Sequence, residues 1–191
     1  MDIDLIEVEP RRSDSFLTRE LIYGFQPSFA GQCLIALFQG AVSALSFVDV
    51  GQEESALTRL SKAWPGFSLR KDSTLIGEAS QKIFARGQLK RGTRVKILLK
   101  GTHFQRLVWK ALLSIPQGET VSYQEIAKRV GRPRSVRAVG QAVGRNPVAI
   151  FIPCHRVLRK DGQLGGYRWG PERKQLLLAG EGALEGHSLL N

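Results

Sequence analysis

Ser122-Tyr123-Gln124-Glu125-Ile126-Ala127-Lys128-Arg129-Val130, then Gly131-Arg132-Pro133-Arg134, then Ser135-Val136-Arg137-Ala138-Val139-Gly140-Gln141-Ala142-Val143 is the stretch that decides the fold. Ser122 with Glu125 three residues on forms a capping box, so a helix is predicted over 123–130. Gly131 to Arg134 supply the turn, and Val136, Val139 and Val143 recur along one face of a second helix over 135–143. Helix, short glycine-bearing turn and helix make the helix-turn-helix outline, which many helical hairpins share. Two features sharpen it. Arg134, Arg137 and Arg145 stud the outer side of the second helix, and Ala138, Gly140, Ala142 and Gly144 are small. Small residues let a helix backbone press into a narrow groove while long cations reach past it. The plainer alternative is that Gly140 and Ala142 permit close packing between helices.

Downstream runs Ile152-Pro153-Cys154-His155-Arg156, holding one of only two cysteines. A cysteine in an apolar, β-rich run is ordinarily a small buried hydrophobe. Here residues 126–160 carry nine lysines or arginines and no acidic residue, so the thiol is expected to be biased toward thiolate. The same field attracts a polyanion.

The charge is uneven over the 191 residues. Residues 102–191 carry 14 basic and 6 acidic side chains, residues 1–101 carry 14 and 11, and the formal total is +11. Nucleic acid is the commonest partner of such a half, against the alternative of a merely soluble basic surface. An apolar share of 42% describes a globular chain long enough for two small domains. There is no run of eighteen apolar residues, and Asp2, Asp4, Glu7 and Glu9 stand where a signal peptide needs basic residues, so a cytoplasmic protein without a membrane span is predicted. In that reducing compartment Cys33 and Cys154 are not expected to pair. With His103, His155 and His187 scattered, no structural metal site is expected.

The first twenty residues mix charges without an evident period and are expected to form a loosely docked arm. Strands are predicted over 22–25, 33–38 and 41–50, the last two joined at Gln39-Gly40, giving a meandering sheet. Helices are predicted over 53–64, stopped by Pro65-Gly66, and over 75–86, ended by Gly87; a short strand covers 95–99. Thr102 caps a further helix whose stripe is Phe104, Leu107, Val108, Ala111 and Leu112, up to Pro116-Gln117-Gly118.

Tyr123 at a helix start, Arg137-Ala138-Val139-Gly140, Asn146-Pro147, Pro153-Cys154-His155-Arg156-Val157, Gly166-Tyr167 and Glu181-Gly182 occur in one fixed order. In this the chain resembles the methylated-DNA–protein-cysteine methyltransferases, closely over about residues 100–182 and more loosely over 20–98. The resemblance implies a ribonuclease-H-like α/β domain over 21–98, after an arm over 1–20. It further implies a mainly α domain over 99–191 with a winged-helix-like helix-turn-helix, for DNA binding and alkyl transfer. It also implies repair of double-stranded DNA by one irreversible transfer of an alkyl group from the O6 oxygen of guanine to Cys154, by a monomer without cofactor.

The chemistry fits the residues. Displacement at saturated carbon wants a soft, strong nucleophile, which a thiolate is. A thiol near its ordinary pKa needs a base. By resemblance His155 serves through a water, oriented by Glu181, the division of labour of hydrolase triads. Also by resemblance, the Tyr123 hydroxyl delivers a hydrogen bond to guanine N3, and Asn146 ties the turn between the second helix and the active-site strand. Read without the resemblance, Tyr123 and His155 would be core residues. A base in a duplex must be flipped out, through the minor groove, and Arg137 resembles the finger that fills the space. The resemblance also implies that Arg134, Ser135, Ala138 and Gly140 complete the DNA-binding set and that Val157, Gly165, Tyr167 and Arg168 line and cover the base pocket. The product is a thioether, which is not readily hydrolysed, so each molecule reacts once.

Ala149 stands where some relatives have proline, and bulky Trp169 lies beside the lid; together they suggest a pocket that favours methyl over benzyl adducts. Two other readings compete: a damage sensor that flips bases without chemistry, and a helix-turn-helix regulator reading the major groove.

Overall fold

The computed structural model describes residues 2–8, 19–85, 88–89 and 94–183, and the chain forms two compact units, Met1–Gly101 and Thr102–Asn191. In chain order the first unit contains β1 (Asp2–Val8), β2 (Glu20–Ser28), β3 (Gly31–Phe38), β4 (Ala41–Phe47), α1 (Glu53–Ala63), β5 (Ser68–Lys71), α2 (Ser73–Ile83), β6 (Phe84–Ala85), β7 (Gln88–Leu89) and β8 (Arg94–Lys100).

The predicted meander, β2 to β4, is only the centre of a six-stranded mixed sheet of order β1-β8-β4-β3-β2-β5. Gln39 (φ 49) and Gly40 (φ 78) turn β3 into β4 with two left-handed residues, the backbone that matches the twist of a tight hairpin. Strands β5, β8 and β1 then join in parallel to β2, β4 and β8 respectively. Residues 2–8 are therefore a strand and not an arm. Ile3 and Leu5 do alternate with Asp2 and Asp4, but the partner strand lies about ninety residues away in sequence, so no local turn signals the pairing. Residues 9–18, the rest of the expected arm, and Gly87 lie outside the described residues.

Strand β3 is buried on both faces. Leu34, Ala36 and Phe38 meet Ala56, Leu60 and Trp64 of the α1 region, with Trp64 and Phe67 edge to face at 5.1 Å. On the opposite face Gly24, paired with Ile35, lies so close to α2 that an added Cβ would sit 3.0 Å from the Ile76 Cβ. One helix on each face of a sheet is an α/β layer arrangement.

The second unit holds α3 (His103–Leu113), β9 (Val121–Ser122), α4 (Tyr123–Arg129), α5 (Val136–Gly144), a 3-10 turn (Cys154–Arg156), β10 (Val157–Leu158) and α6 (Pro171–Gly180). Thr102 and Gln105 form a reciprocal capping box on α3, and Ser122 accepts from the Glu125 amide at 3.1 Å on α4. Gly131 (φ 69) makes the left-handed turn between α4 and α5. Buried Trp109 ties α3 to α5 by donating Nε1–H to the Ala142 carbonyl at 2.9 Å. Ala142 thus belongs to the inner face with Val139 and Val143, whereas Gly140 and Gly144 do not. Helix α6 was not anticipated, although Pro171 at its first turn and Gly182 after its end are boundary signals. Cys154 opens a 3-10 turn rather than lying on a strand: the Pro153 nitrogen has no hydrogen to give a ladder, and the Cys154 amide folds back to the Ile152 carbonyl at 2.7 Å.

Candidate active site

Asn146, just past α5, organises the approach to Cys154. Its Oδ1 accepts from the Val148 amide at 2.9 Å, and its Nδ2 donates to the Ile152 carbonyl at 2.8 Å and to the Cys154 sulfur at 3.0 Å. The loop it pins contains Ile150 at φ 68, a left-handed backbone that costs a β-branched residue about 1–3 kcal/mol and needs surrounding structure to hold it.

Cys154 is 4% exposed and opens onto a cavity of about 380 Å³ lined by Tyr123, Gly140, Val143, Gly144, Cys154, Gly166, Tyr167, Arg168 and Trp169. That volume lies within the range of small-molecule pockets. Tyr123 starts α4 and packs its ring over Gly140, 3.8 Å from where a Cβ there would stand, an ordinary van der Waals distance. Tyr167 meets Trp169 edge to face at 5.2 Å, and the Arg168 guanidinium lies 5.5 Å from the Trp169 ring centre. Burial raises the Tyr123 phenol pKa, as does the neighbouring Cys154, while Arg159 opposes both.

The thiol corrects an expectation. Burial pushes the Cys154 pKa up, with the Asn146 hydrogen bond and the Lys174 charge as the leading opposing influences. Two arginines whose charge suggests a ready thiolate, Arg134 in the turn before α5 and Arg137 on α5, are exposed, where water screens them. Lys174, on α6, is the cation that matters, and it was missed. It is fully buried, donates to the Val157 carbonyl at 2.7 Å and to the Leu164 carbonyl, and burial brings its pKa down to about 8. Its signal in sequence is a lysine three and four residues before buried Leu177 and Leu178 on the inner face of α6.

Behind the thiol, fully buried His155 bonds through Nε2 to Glu181 Oε1 at 3.0 Å. Burial raises the Glu181 pKa, but bonds from Arg156 and His155 outweigh it and hold the carboxyl down at about 2. An ionised carboxylate only accepts, so the ring hydrogen is assigned to Nε2. Nδ1 is then an acceptor, buried without a hydrogen-bond partner from the protein. Burial also pushes the His155 pKa below its ordinary value, despite Glu181.

Of the remaining anticipated residues, Gly165 (φ +66) packs between Arg159 and Tyr123 but does not line the cavity, and Val157 contributes its carbonyl to Lys174. Arg134, Arg137 and Ala138 are exposed, and Ser135 is half-buried. Ala149 is wholly buried and does not touch the cavity, so of the two residues read as narrowing it only Trp169 is in place to do so. Cys33 and Cys154 are not joined in a disulfide.

Glu181 carries a pH signature. Its folded pKa lies below the ordinary 4.5, so its stabilising share is complete above that value and is lost as pH falls toward about 2. The share is about 3 kcal/mol by linkage. Acid denaturation followed by circular dichroism is expected to show stability falling through this window, and Glu181→Gln to flatten that part of the curve.

A buried thiol at the mouth of a cavity, beside a helix-turn-helix in a basic unit, defines a class of nucleophile-bearing nucleic-acid-binding domains. Residues 103–183 match the family model described as 6-O-methylguanine DNA methyltransferase, DNA binding domain. The chain is 42% identical over 147 residues to the inducible methylated-DNA–protein-cysteine methyltransferase of Bacillus subtilis, covering 74% of this chain and 82% of that protein. It is 38% identical over 152 residues to the bifunctional transcriptional activator/DNA repair enzyme Ada of Escherichia coli, covering 79% of this chain and 42% of that one. Over 84 residues it is 57% identical to the Mycobacterium bovis methyltransferase, 44% of this chain and 51% of that protein. For these last two the chain spans about half the relative's length or less. Among solved structures, the Mycobacterium tuberculosis O6-methylguanine methyltransferase superposes with a TM-score of 0.67 at 35% identity, covering 85% and 93% of the two chains. The same organism's OGT in complex with DNA gives 0.65 at 32% identity, covering 86% and 93%. The chain belongs to the methylated-DNA–protein-cysteine methyltransferase family.

Proposed function

We propose that this protein repairs double-stranded DNA by moving a methyl or other alkyl group from O6 of guanine onto the Cys154 sulfur. The observation that carries this is the placement of Cys154 Sγ at a cavity lined by Tyr123, Tyr167 and Trp169, with the Asn146 amide bonded to the sulfur, the Lys174 charge acting on it and His155 next in the chain. The thiol proton leaves toward His155 Nδ1 through one water, the S–C bond forms as the C–O6 bond breaks, and the departing guanine takes a proton at N3 with Tyr123 as donor. The thioether remains on the protein. Titrating the protein with excess O6-methylguanine duplex is expected to restore one guanine per molecule and then stop; continued turnover, or none, contradicts the reading.

The first unit is inferred to be ribonuclease-H-like, supported by its mixed sheet with a helix on each face. The second is inferred to be winged-helix-like, supported by the α4–α5 hairpin and the short β9–β10 pair. In this reading Arg134, Ser135, Arg137, Ala138 and Gly140 meet DNA, and Gly165, Tyr167 and Arg168 close on the flipped base. The site of action is the cytoplasm, on the nucleoid. Arg137→Ala is expected to slow repair in duplex about tenfold or more while leaving reaction with the free base nearly unchanged, since only extrusion is lost, worth a few kcal/mol; single-turnover rates on both substrates measure this. Trp169→Gly, by removing the ring from the cavity wall, is expected to raise the rate with benzylated relative to methylated guanine, read from competing inactivation by the two oligonucleotides.

A further inference from the structure

Arg156 lies beside the site, its side chain 12% exposed, and none of the roles above uses it. Its guanidinium makes two parallel bonds to Glu181, Nε to Oε2 at 2.8 Å and Nη2 to Oε1 at 2.8 Å, while Nη1 donates to the Ile115 carbonyl at 2.5 Å. The planar fork allows this bidentate grip, which an ammonium cannot reproduce. Oε1 is shared, since it also receives His155 Nε2 at 3.0 Å. The loop that supplies Ile115 continues to Gly118, whose φ of +84 brings it so near that an added Cβ would stand 3.2 Å from the Glu181 carbonyl. Arg156, and through it the Glu181 side chain, is thus anchored to the loop after α3, which also runs close to the Glu181 backbone.

A carboxylate that faces an imidazole alone stabilises the protonated ring. One already neutralised by a guanidinium does so less, and the guanidinium repels a second cation. We infer that Arg156 is a positioning residue for alkyl transfer: by gripping both oxygens of Glu181 it fixes His155 as a neutral imidazole, hydrogen on Nε2 and Nδ1 free to accept the thiol proton. The charged and titratable groups around the ring agree. Glu181 favours its protonation; burial, Arg156 and Lys174 oppose it and prevail. Cys154, preceding His155 in the same turn, is the proton's source. The inference rests on the alkyl-transfer reading.

Two measurements on the full chain test it. Nitrogen NMR of the His155 ring in the wild type is expected to show the neutral form with hydrogen on Nε2 at neutral pH and below; a doubly protonated ring at neutral pH overturns the inference. Single-turnover methyl transfer from an O6-methylguanine duplex, between about pH 5 and about pH 9, is then compared for the wild type, Arg156→Lys and Arg156→Gln. In Arg156→Gln the acidic limb is expected to move to higher pH, with a rate loss about tenfold greater near pH 6 than near pH 8. Arg156→Lys, keeping the charge without the fork, is expected to lose rate while its acidic limb stays near that of the wild type. An unmoved limb in Arg156→Gln, with only the active fraction reduced, overturns the inference, and if that variant does not fold the wild-type ring decides. A wild type that transfers no methyl group would instead overturn the function, leaving the ring measurement to judge Arg156.

Discussion

Asn146→Ala is expected to slow methyl transfer about a hundredfold and to destabilise the second unit by about 2–4 kcal/mol. Loss of the side-chain amide leaves the Val148 N–H without its partner in a buried loop, worth about 1–3 kcal/mol when unmet, and leaves the Ile152 carbonyl with the Cys154 amide as its donor. The loop also contains Ile150 in a left-handed conformation, so strain held in check by Asn146 adds to the cost. The kinetic effect has a separate origin, loss of the Nδ2 hydrogen bond to sulfur, which is the leading influence lowering the Cys154 pKa. Asn146→Asp would keep the acceptor but present an anion to the thiolate, and is expected to be slower still. Thermal unfolding and single-turnover repair report the two effects independently; a variant with altered stability and unchanged alkylation by iodoacetamide would separate Asn146 from the thiol.

Lys174→Met is expected to cost about a hundredfold in repair rate with smaller damage to DNA affinity. Methionine fills the volume of the stem but offers neither donor, stranding the Val157 and Leu164 carbonyls, and removes the one buried cation that opposes the rise in the Cys154 pKa. The influence is mutual, because ionised Cys154 raises the Lys174 pKa. In the wild type, Lys174 protonation therefore couples thiolate formation to pH. With a folded pKa of about 8 against the ordinary 10.5, Lys174 sheds its proton on folding across that interval, so its contribution to stability grows as pH rises from about 8 toward 10.5. The rate, in contrast, loses the cation's help over the same rise. Iodoacetamide labelling of Cys154 from neutral to alkaline pH measures this: slower labelling of Lys174→Met at neutral pH and convergence with the wild type at high pH are expected, and equal rates throughout would remove Lys174 from the mechanism.

These two residues also mark the limit of what sequence shows. The helices flanking the turn at Gly131 were readable because Ser122, Glu125 and the valines of α5 are local signals with fixed offsets. The hairpin at Gln39-Gly40 was readable for the same reason. Strand β1 was not, since the strand it pairs with among the described residues is a parallel one brought up from the far end of the unit. The thiol's surroundings are not legible in sequence because counting charges along the chain ignores distance and water: Arg134 and Arg137 are exposed, whereas buried Lys174 on α6 acts on the sulfur. Cys154, His155, Asn146 and Glu181 were nameable as a set only through the family resemblance; their order in sequence carries no geometry that would bring Glu181 to His155 across twenty-six residues.

Peptide mass spectrometry after one exposure to an O6-methylguanine duplex shows which atom of the protein accepts the methyl group. The peptide containing Cys154 is expected to gain the mass of one methyl group in every reacted molecule, Cys33 to stay unmodified, and Cys154→Ser to show neither adduct nor restored guanine. Restored guanine with an unmodified Cys154, or a methyl group residing on any other residue, would contradict it.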